Sequence, residues 1–86
     1  MKIIFHPSFN KPYLKLREKE KTKFKERVAI FLEDEFSPIL NNHAIKGKYN
    51  GYRSINVTGD LRAIYKGIGD ELYLFVDIGT HSRLYS

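Results

Sequence analysis

The stretch Leu72 to Ser86, LYLFVDIGTHSRLYS, decides how the chain is to be folded. Leu72, Leu74, Val76 and Ile78 alternate with Tyr73, Phe75, Asp77 and Gly79, the period-2 pattern of a strand with two unlike faces. Both sets are apolar at their start, so a central strand is expected. Gly79-Thr80 ends the regular run and delivers His81, Ser82, Arg83 and Tyr85 to the edge of the sheet. There a titratable ring, a hydroxyl, a guanidinium and an aromatic can converge on one ligand.

Upstream, Gly67 to Asp70 makes a turn, and the runs Leu61 to Lys66 and Tyr52 to Val57 form a hairpin about Thr58-Gly59-Asp60. The segment from Ile39 to Gly51 carries Asn41-Asn42, Gly47 and Asn50-Gly51 and is expected to be a loop, pinned to the core by Ile39, Leu40 and Ile45. Its length implies a role beyond connection. Phe24, Val28, Phe31 and Leu32 repeat at helical spacing behind a capping Thr22, and the helix ends by Phe36-Ser37-Pro38. Phe9, Tyr13 and Leu16 form an earlier stripe entered at Pro7, with the charged run REKEKTK marking a helix end or a tight bend. Lys2 to His6 is a short strand. The expected fold class is α+β in one domain over residues 1–86: two antiparallel N-terminal helices on one face of a small, mainly antiparallel four-stranded sheet, ordered β-α-α-β-β-β.

Composition narrows the chemistry. The chain has no cysteine, so a disulfide framework or thiolate metal site is excluded and a reducing cytosol is compatible. No run approaches the ~20 apolar residues of a membrane span, and MKIIFHP is too short for a signal peptide. A cytoplasmic protein is expected. Lysine and arginine number 15 against 10 acidic residues, a net charge of +5 that favours polyanionic or acidic partners. Lys46, Lys48, Arg53, Arg62 and Lys66 face only Asp60 between positions 43 and 66. The eight basic residues from Lys11 to Arg27 are diluted by Glu18, Glu20 and Glu26, and their default reading is a solvated helix surface.

The 43–66 stretch HAIKGKYNGYRSINVTGDLRAIYK, followed by LYLFVDIGTHSRLYS, resembles the second half of the RelE/ParE superfamily of type II toxin–antitoxin toxins, most closely its YafQ-like mRNA interferase branch. The motifs H-x-x-x-G, G-[YF]-R, D-L-x-x-I-Y and G-[ST]-H-x-x-L-[YF] occur in order, a set far more specific than any member. The resemblance implies a ribosome-dependent endoribonuclease that cuts mRNA, without a cofactor or metal. It implies a cognate antitoxin, contacts with 16S rRNA, binding of operator DNA only through the antitoxin complex, and no membrane. It also implies catalytic roles for His43, Asp60 and His81 and a terminal aromatic at Tyr85. Two positions depart from the pattern: an acidic residue and a histidine are here Ser54 and Asn56, neither of which exchanges a proton near neutrality.

A metal-free ribonuclease needs a base for the 2′-hydroxyl, an acid for the leaving 5′-oxygen and cations for the charge that develops on phosphorus. His81 is expected as the acid, with His43 or Asp60 on the base side. Arg53 and Arg62 are candidates for the phosphate, Lys46 and Lys48 for the RNA backbone, Arg83 for RNA contact and Tyr85 for base stacking. The spacing of the three histidines matches no metal-ligand motif. Each has a structural alternative. His81 can be a strand-end residue, His43 a loop fastener, Asp60 an Asx-turn residue, Arg53 and Arg62 sheet-face charges and Tyr85 a packing residue. His6, beside Pro7, is expected to be structural. Two other functions stay open: a gyrase-binding toxin of the ParE type, and an RNA-binding module without turnover.

Overall fold

In the computed structural model, which describes residues 1–85, the chain forms β1 (Lys2–Phe5), α1 (Pro7–Leu14), α2 (Glu18–Glu33), β2 (His43–Ala44), β3 (Arg53–Asn56), β4 (Leu61–Gly69), β5 (Leu72–Thr80) and α3 (His81–Tyr85). Ser86, the last residue of the stretch Leu72 to Ser86, lies outside the described residues. The strands make one sheet in the order β1-β5-β4-β3-β2. β1 pairs parallel to β5, and the remaining pairs are antiparallel. β5 is therefore internal, as its two apolar faces require. The sheet has five strands rather than four, because His43 and Ala44 pair with Ser54 and Arg53 inside the segment expected to be loop.

Local chemistry explains the element ends. His6 caps α1, its Nδ1 accepting from the Ser8 N–H at 3.0 Å, and Pro7 occupies the first turn, where no N–H is needed. This is the structural role expected of His6. The charged run begins at the bend between α1 and α2 and continues into α2: Arg17 is the cap, and its N–H donates to Glu20 Oε1 at 2.9 Å. A carboxylate reaching back to the cap backbone satisfies an orphan donor five residues ahead of Thr22, the cap expected from sequence. α2 ends at Glu33, ahead of Phe36-Ser37-Pro38. Its stripe is narrower than the spacing implied, since Phe24 and Phe31 are buried whereas Leu32 reaches solvent.

The main core lies between the helices and one sheet face, where Phe9, Phe24 and Phe31 meet Ile55, Leu61, Ala63, Tyr65, Phe75 and Ile78. Phe31 stands edge-on to the rings of Tyr65, Tyr73 and Phe75 at 4.9, 5.3 and 5.5 Å. Burying one such side chain contributes about 1.5–3 kcal/mol. Strict alternation along β5 fails at Val76. Ile64 is opposite Asp77 and Tyr65 opposite Phe75, so Val76 is an extra residue, a β-bulge. Phe75 and Ile78, three apart, consequently share the helix-covered face, and Leu72, Leu74, Val76 and Ile78 do not form one face as expected.

The second face is not left open. Ile45, Ile64 and Leu84 form a small second core with Tyr49, Tyr52, Val76 and Tyr85 around it, so residues 45–52 and α3 fold across the sheet. Buried Asp77 ties them down. It accepts from the Tyr49 hydroxyl, from Arg83 Nη2 at 2.6 Å and from the Ile78 N–H at 2.8 Å. Gly79 lets the guanidinium pass, since a Cβ there would lie 2.5 Å from Arg83 Nε. The C-terminal segment is thus a helix folded back onto the sheet rather than an irregular tail at its edge.

Because Gly79→Ala and Arg83→Ala disturb one interaction, each is expected to destabilise by about 1–3 kcal/mol, and the double variant no more than Arg83→Ala alone. Additive losses in urea unfolding would show that Arg83 does not depend on the room above Gly79. Burial, and then the bond to Asp77, push the Tyr49 phenol up from 10.0 to about 12. The folded state holds that proton more tightly than the unfolded one, so this group stabilises below pH 10 and its contribution is lost as pH rises towards 12. Tyr49→Phe is expected to flatten that alkaline loss in part, the phenol of Tyr65 being raised as well. An unchanged profile would contradict the assignment.

Candidate functional site

The register places the side chains of the second face in rows. His43, Ser54, Ile64 and Asp77 are successive partners in one row, and Asn56, Arg62 and Gly79 in the next. Beyond that row the β3–β4 turn lies against the start of α3, where the His81 N–H donates to the Asp60 carbonyl at 3.1 Å. Asp60 and His81, 21 residues apart in sequence, are held side by side by this ladder bond.

Arg62 folds over the same turn. Its Nη1 donates to the carbonyls of Thr58 and Gly59 at 3.1 and 3.0 Å, and the Leu61 N–H donates to Thr58 Oγ1 at 3.1 Å. The turn is braced by a cation without that charge being neutralised, since neutral carbonyls accept from it. The His81 ring packs on Tyr85 at 4.6 Å between centroids and is exposed. An exposed imidazole, an exposed carboxylate and a guanidinium therefore share one end of the sheet.

His43 is elsewhere. It is exposed on the edge strand β2, with Nδ1 2.9 Å from the Asn41 carbonyl, and Asn41 itself takes the left-handed conformation at φ 45°. With strands about 4.8 Å apart and a rise of about 3.3 Å per residue, its backbone stands roughly 14 Å across and roughly 13 Å along the sheet from that of His81. The two histidines do not bracket one phosphate in this arrangement. Lys46 and Lys48, three and five residues beyond it in the chain, are exposed.

Arg53 points to the helix side. Its Nε donates to Asn42 Oδ1 at 2.7 Å and its guanidinium lies 5.2 Å above the Phe36 ring. Asn42 in turn donates to Tyr65 Oη at 2.6 Å, and Tyr65 to Glu35 at 2.7 Å. Arg53 therefore braces the base of β2 as part of a packed network. Arg83 is engaged with Asp77 and the Ile78 carbonyl, at 2.6 and 2.7 Å. Tyr85 is half-buried, and its hydroxyl, with Ser54 Oγ and Asn56 Oδ1, is buried without a partner among the described residues. These last two are the positions that depart from the motif, and both lie on the second face between His43 and Arg62. Among the described residues, no three histidine or acidic side chains are grouped to hold a metal ion.

Sequence alone assigns no site role to Tyr49 or Tyr52 and counts Lys66 only in the cationic cluster. Tyr49 and Tyr52 pack edge to face at 5.9 Å, and Lys66 Nζ stands 4.9 Å from the centre of the Tyr52 ring. Their signal was present in KGKYNGYR, where aromatics alternate with cations in a glycine-rich loop.

A family model described as the bacterial toxin of a type II toxin–antitoxin system, YafQ, matches residues 1–86. The crystal structure of YafQ from E. coli superposes with a TM-score of 0.78 at 26% identity, covering 99% of this chain and 98% of that one. YafQ in the E. coli DinJ–YafQ toxin–antitoxin complex gives 0.75 at 27%, covering 99% and 97%. A YoeB/ParE toxin from Agrobacterium tumefaciens shares the fold, with a TM-score of 0.73 at 21% identity over 94% and 99%. No curated protein matches the chain by sequence. With the family pattern spanning the whole chain and the fold superposing on that of a crystallised member, the chain belongs to the YafQ family of type II toxin–antitoxin toxins.

Proposed function

We propose that the chain is a cytoplasmic, ribosome-dependent endoribonuclease that cleaves mRNA by acid–base chemistry with the RNA's own 2′-hydroxyl as nucleophile. The observation that carries this reading is the convergence of Asp60, Arg62 and His81 on the β3–β4 turn. His81 is the general acid for the leaving 5′-oxygen. Its backbone is anchored by the bond to the Asp60 carbonyl while its ring stays accessible, and an imidazole is a proton donor and acceptor in general acid–base catalysis. Asp60 serves the base side, and Arg62 meets the charge that develops on phosphorus. His43, Lys46 and Lys48 engage the strand at the β2 end, and Tyr85 backs the His81 ring with its partly exposed aromatic face turned to RNA. Arg53 and Arg83 support these groups through the contacts already described.

Partners follow from the charge. A free nuclease of net charge +5 calls for an acidic antitoxin that masks the cationic face, and the E. coli relative has been crystallised with its antitoxin DinJ. In the ribosome, mRNA and 16S rRNA supply the polyanion. Operator DNA is reached through the antitoxin complex.

Removing a general acid typically costs ~10²–10⁴ in rate without unfolding the protein. His81→Ala is expected to keep the wild-type circular dichroism and to lose most mRNA cleavage on translating ribosomes. Asp60→Asn should also be impaired, His43→Ala less so given its distance, and His6→Ala not at all. Wild-type cleavage by folded His81→Ala would sink the assignment, and a gyrase-inhibiting activity in its place would favour the protein-binding alternative.

Co-expression gives a second test. The gene product alone is expected to arrest growth and degrade mRNA, and a cognate acidic protein to rescue both. Normal growth with intact mRNA in the absence of any partner would contradict the toxin activity.

A further inference from the structure

Away from the turn that carries Asp60 and His81, the same sheet face gathers Tyr49, Tyr52 and Lys66, to which the cleavage reading gives no role, beside Lys46 and Lys48. Tyr52 and Lys66 line two clefts at once. One, of about 430 Å³, also includes His6, Tyr49, Leu74 and Val76. The other, of about 430 Å³, includes Lys46, Gly51, Arg53 and Gly67. The ring of Tyr52 with the Lys66 ammonium over it forms the divide between them. Lys48 Nζ stands 5.5 Å from the centre of the Tyr49 ring, so both tyrosines carry a cation.

The combination specifies a ligand class. Flat rings flanked by ammonium groups stack nucleobases without regard to sequence, while the cations follow the phosphates. The carboxylate bordering the first cleft, Asp77, is already paired with Arg83 and Tyr49, so it does not repel a polyanion. Its bond to Tyr49 also fixes that ring before any ligand arrives, which lowers the entropy lost on binding. An acidic peptide would satisfy the lysines but gain little from the ring faces.

We propose that Tyr52 and Lys66 form a base-stacking subsite for single-stranded RNA, one that holds a nucleotide away from the phosphate being cleaved. Lys66 lies four residues along β4 from Arg62, roughly 13 Å at strand spacing. The base stacked on Tyr52 is therefore not the one beside the cut. A base arriving on the ring displaces the Lys66 ammonium towards the neighbouring phosphate, so one cation–π contact is exchanged for stacking and an ion pair. The subsite rests on the endoribonuclease reading for its biological substrate, yet its binding chemistry is independent of cleavage.

The test uses an end-labelled single-stranded RNA octamer with 2′-O-methyl riboses, which cannot be cleaved because the nucleophile is blocked. Fluorescence anisotropy gives its affinity for the full chain at several salt concentrations. Tyr52→Leu, which keeps an apolar side chain against the second core, is expected to weaken binding about 5- to 100-fold, and Tyr52→Phe to bind as wild type. Lys66→Gln, at a partly exposed position, should reduce the log–log salt slope by about 0.7. Wild-type affinity in Tyr52→Leu, an unchanged slope in Lys66→Gln, or no octamer binding by the wild type would each overturn the subsite. So would a soluble polyglutamate that competes as well against wild type as against Tyr52→Leu. Cleavage on translating ribosomes, measured in parallel, separates the two conclusions. Cleavage without dependence on Tyr52 removes the subsite alone, and Tyr52-dependent binding without cleavage removes the nuclease reading and leaves the subsite.

Discussion

The Asp77 carboxylate organises everything on the second face of the sheet. A charge taken from water must be paired and hydrogen-bonded or it costs several kcal/mol. Asp77, with 8% of its surface exposed, meets that demand with three donors from three parts of the chain. Tyr49 brings the loop between β2 and β3 across the sheet, and Arg83 brings back the C-terminal helix. Loss of either donor would leave a buried carboxylate short of a partner, so the loop and helix depend on one acid for their places. The bulge at Val76 aims that acid: without the extra residue, Asp77 and Ile78 would exchange faces.

Such an arrangement separates stability from chemistry. The helix-covered core is aromatic and dry, and its polar groups, such as the Tyr65 and Tyr73 phenols on Glu35, face one another. Apart from Arg83, which pairs with Asp77, the cations Arg62 and Lys66 on the other face are held by carbonyls and by the Tyr52 ring. Their charge remains available to a polyanion, whereas ion pairs with surface carboxylates would have spent it. The acidic side chains instead concentrate in α2, where Glu18, Glu20 and Glu26 pair with neighbouring lysine or arginine along the helix.

The register also divides the motif residues. Asp60 and His81 are adjacent because the antiparallel ladder between β4 and β5 ends at both. His43 is held at the far edge by the two-residue pairing of β2. Ser54 and Asn56 lie between these ends with buried oxygens that have no partner among the described residues, and neither side chain exchanges a proton near neutrality. Under the proposed function, proton transfer falls to Asp60 and His81 at the β3–β4 turn and binding to the remainder of the face.

Sequence by itself determined much of this protein. Period-2 apolar runs require strands at β3, β4 and β5, the two-faced hydrophobicity of Leu72 to Ile78 requires an internal strand, and the phenylalanine spacing requires two helices, because burial of apolar surface follows those periods. The ordered motifs marked the family, and the chain's cationic excess was a matter of counting. What only the tertiary structure decided was each side chain's face and neighbour. A bulge changes the phase of a strand with no signature in composition, so Phe75 and Ile78 could not be assigned to one core from alternation alone. A two-residue strand such as His43–Ala44 is stabilised by its partner rather than by its own propensity, and a five-residue helix such as α3 by the docking of Leu84. The nearness of Asp60 to His81, and the distance of both from His43, depend on pairing across the sheet. Those contacts are non-local, and no local pattern in the chain encodes them.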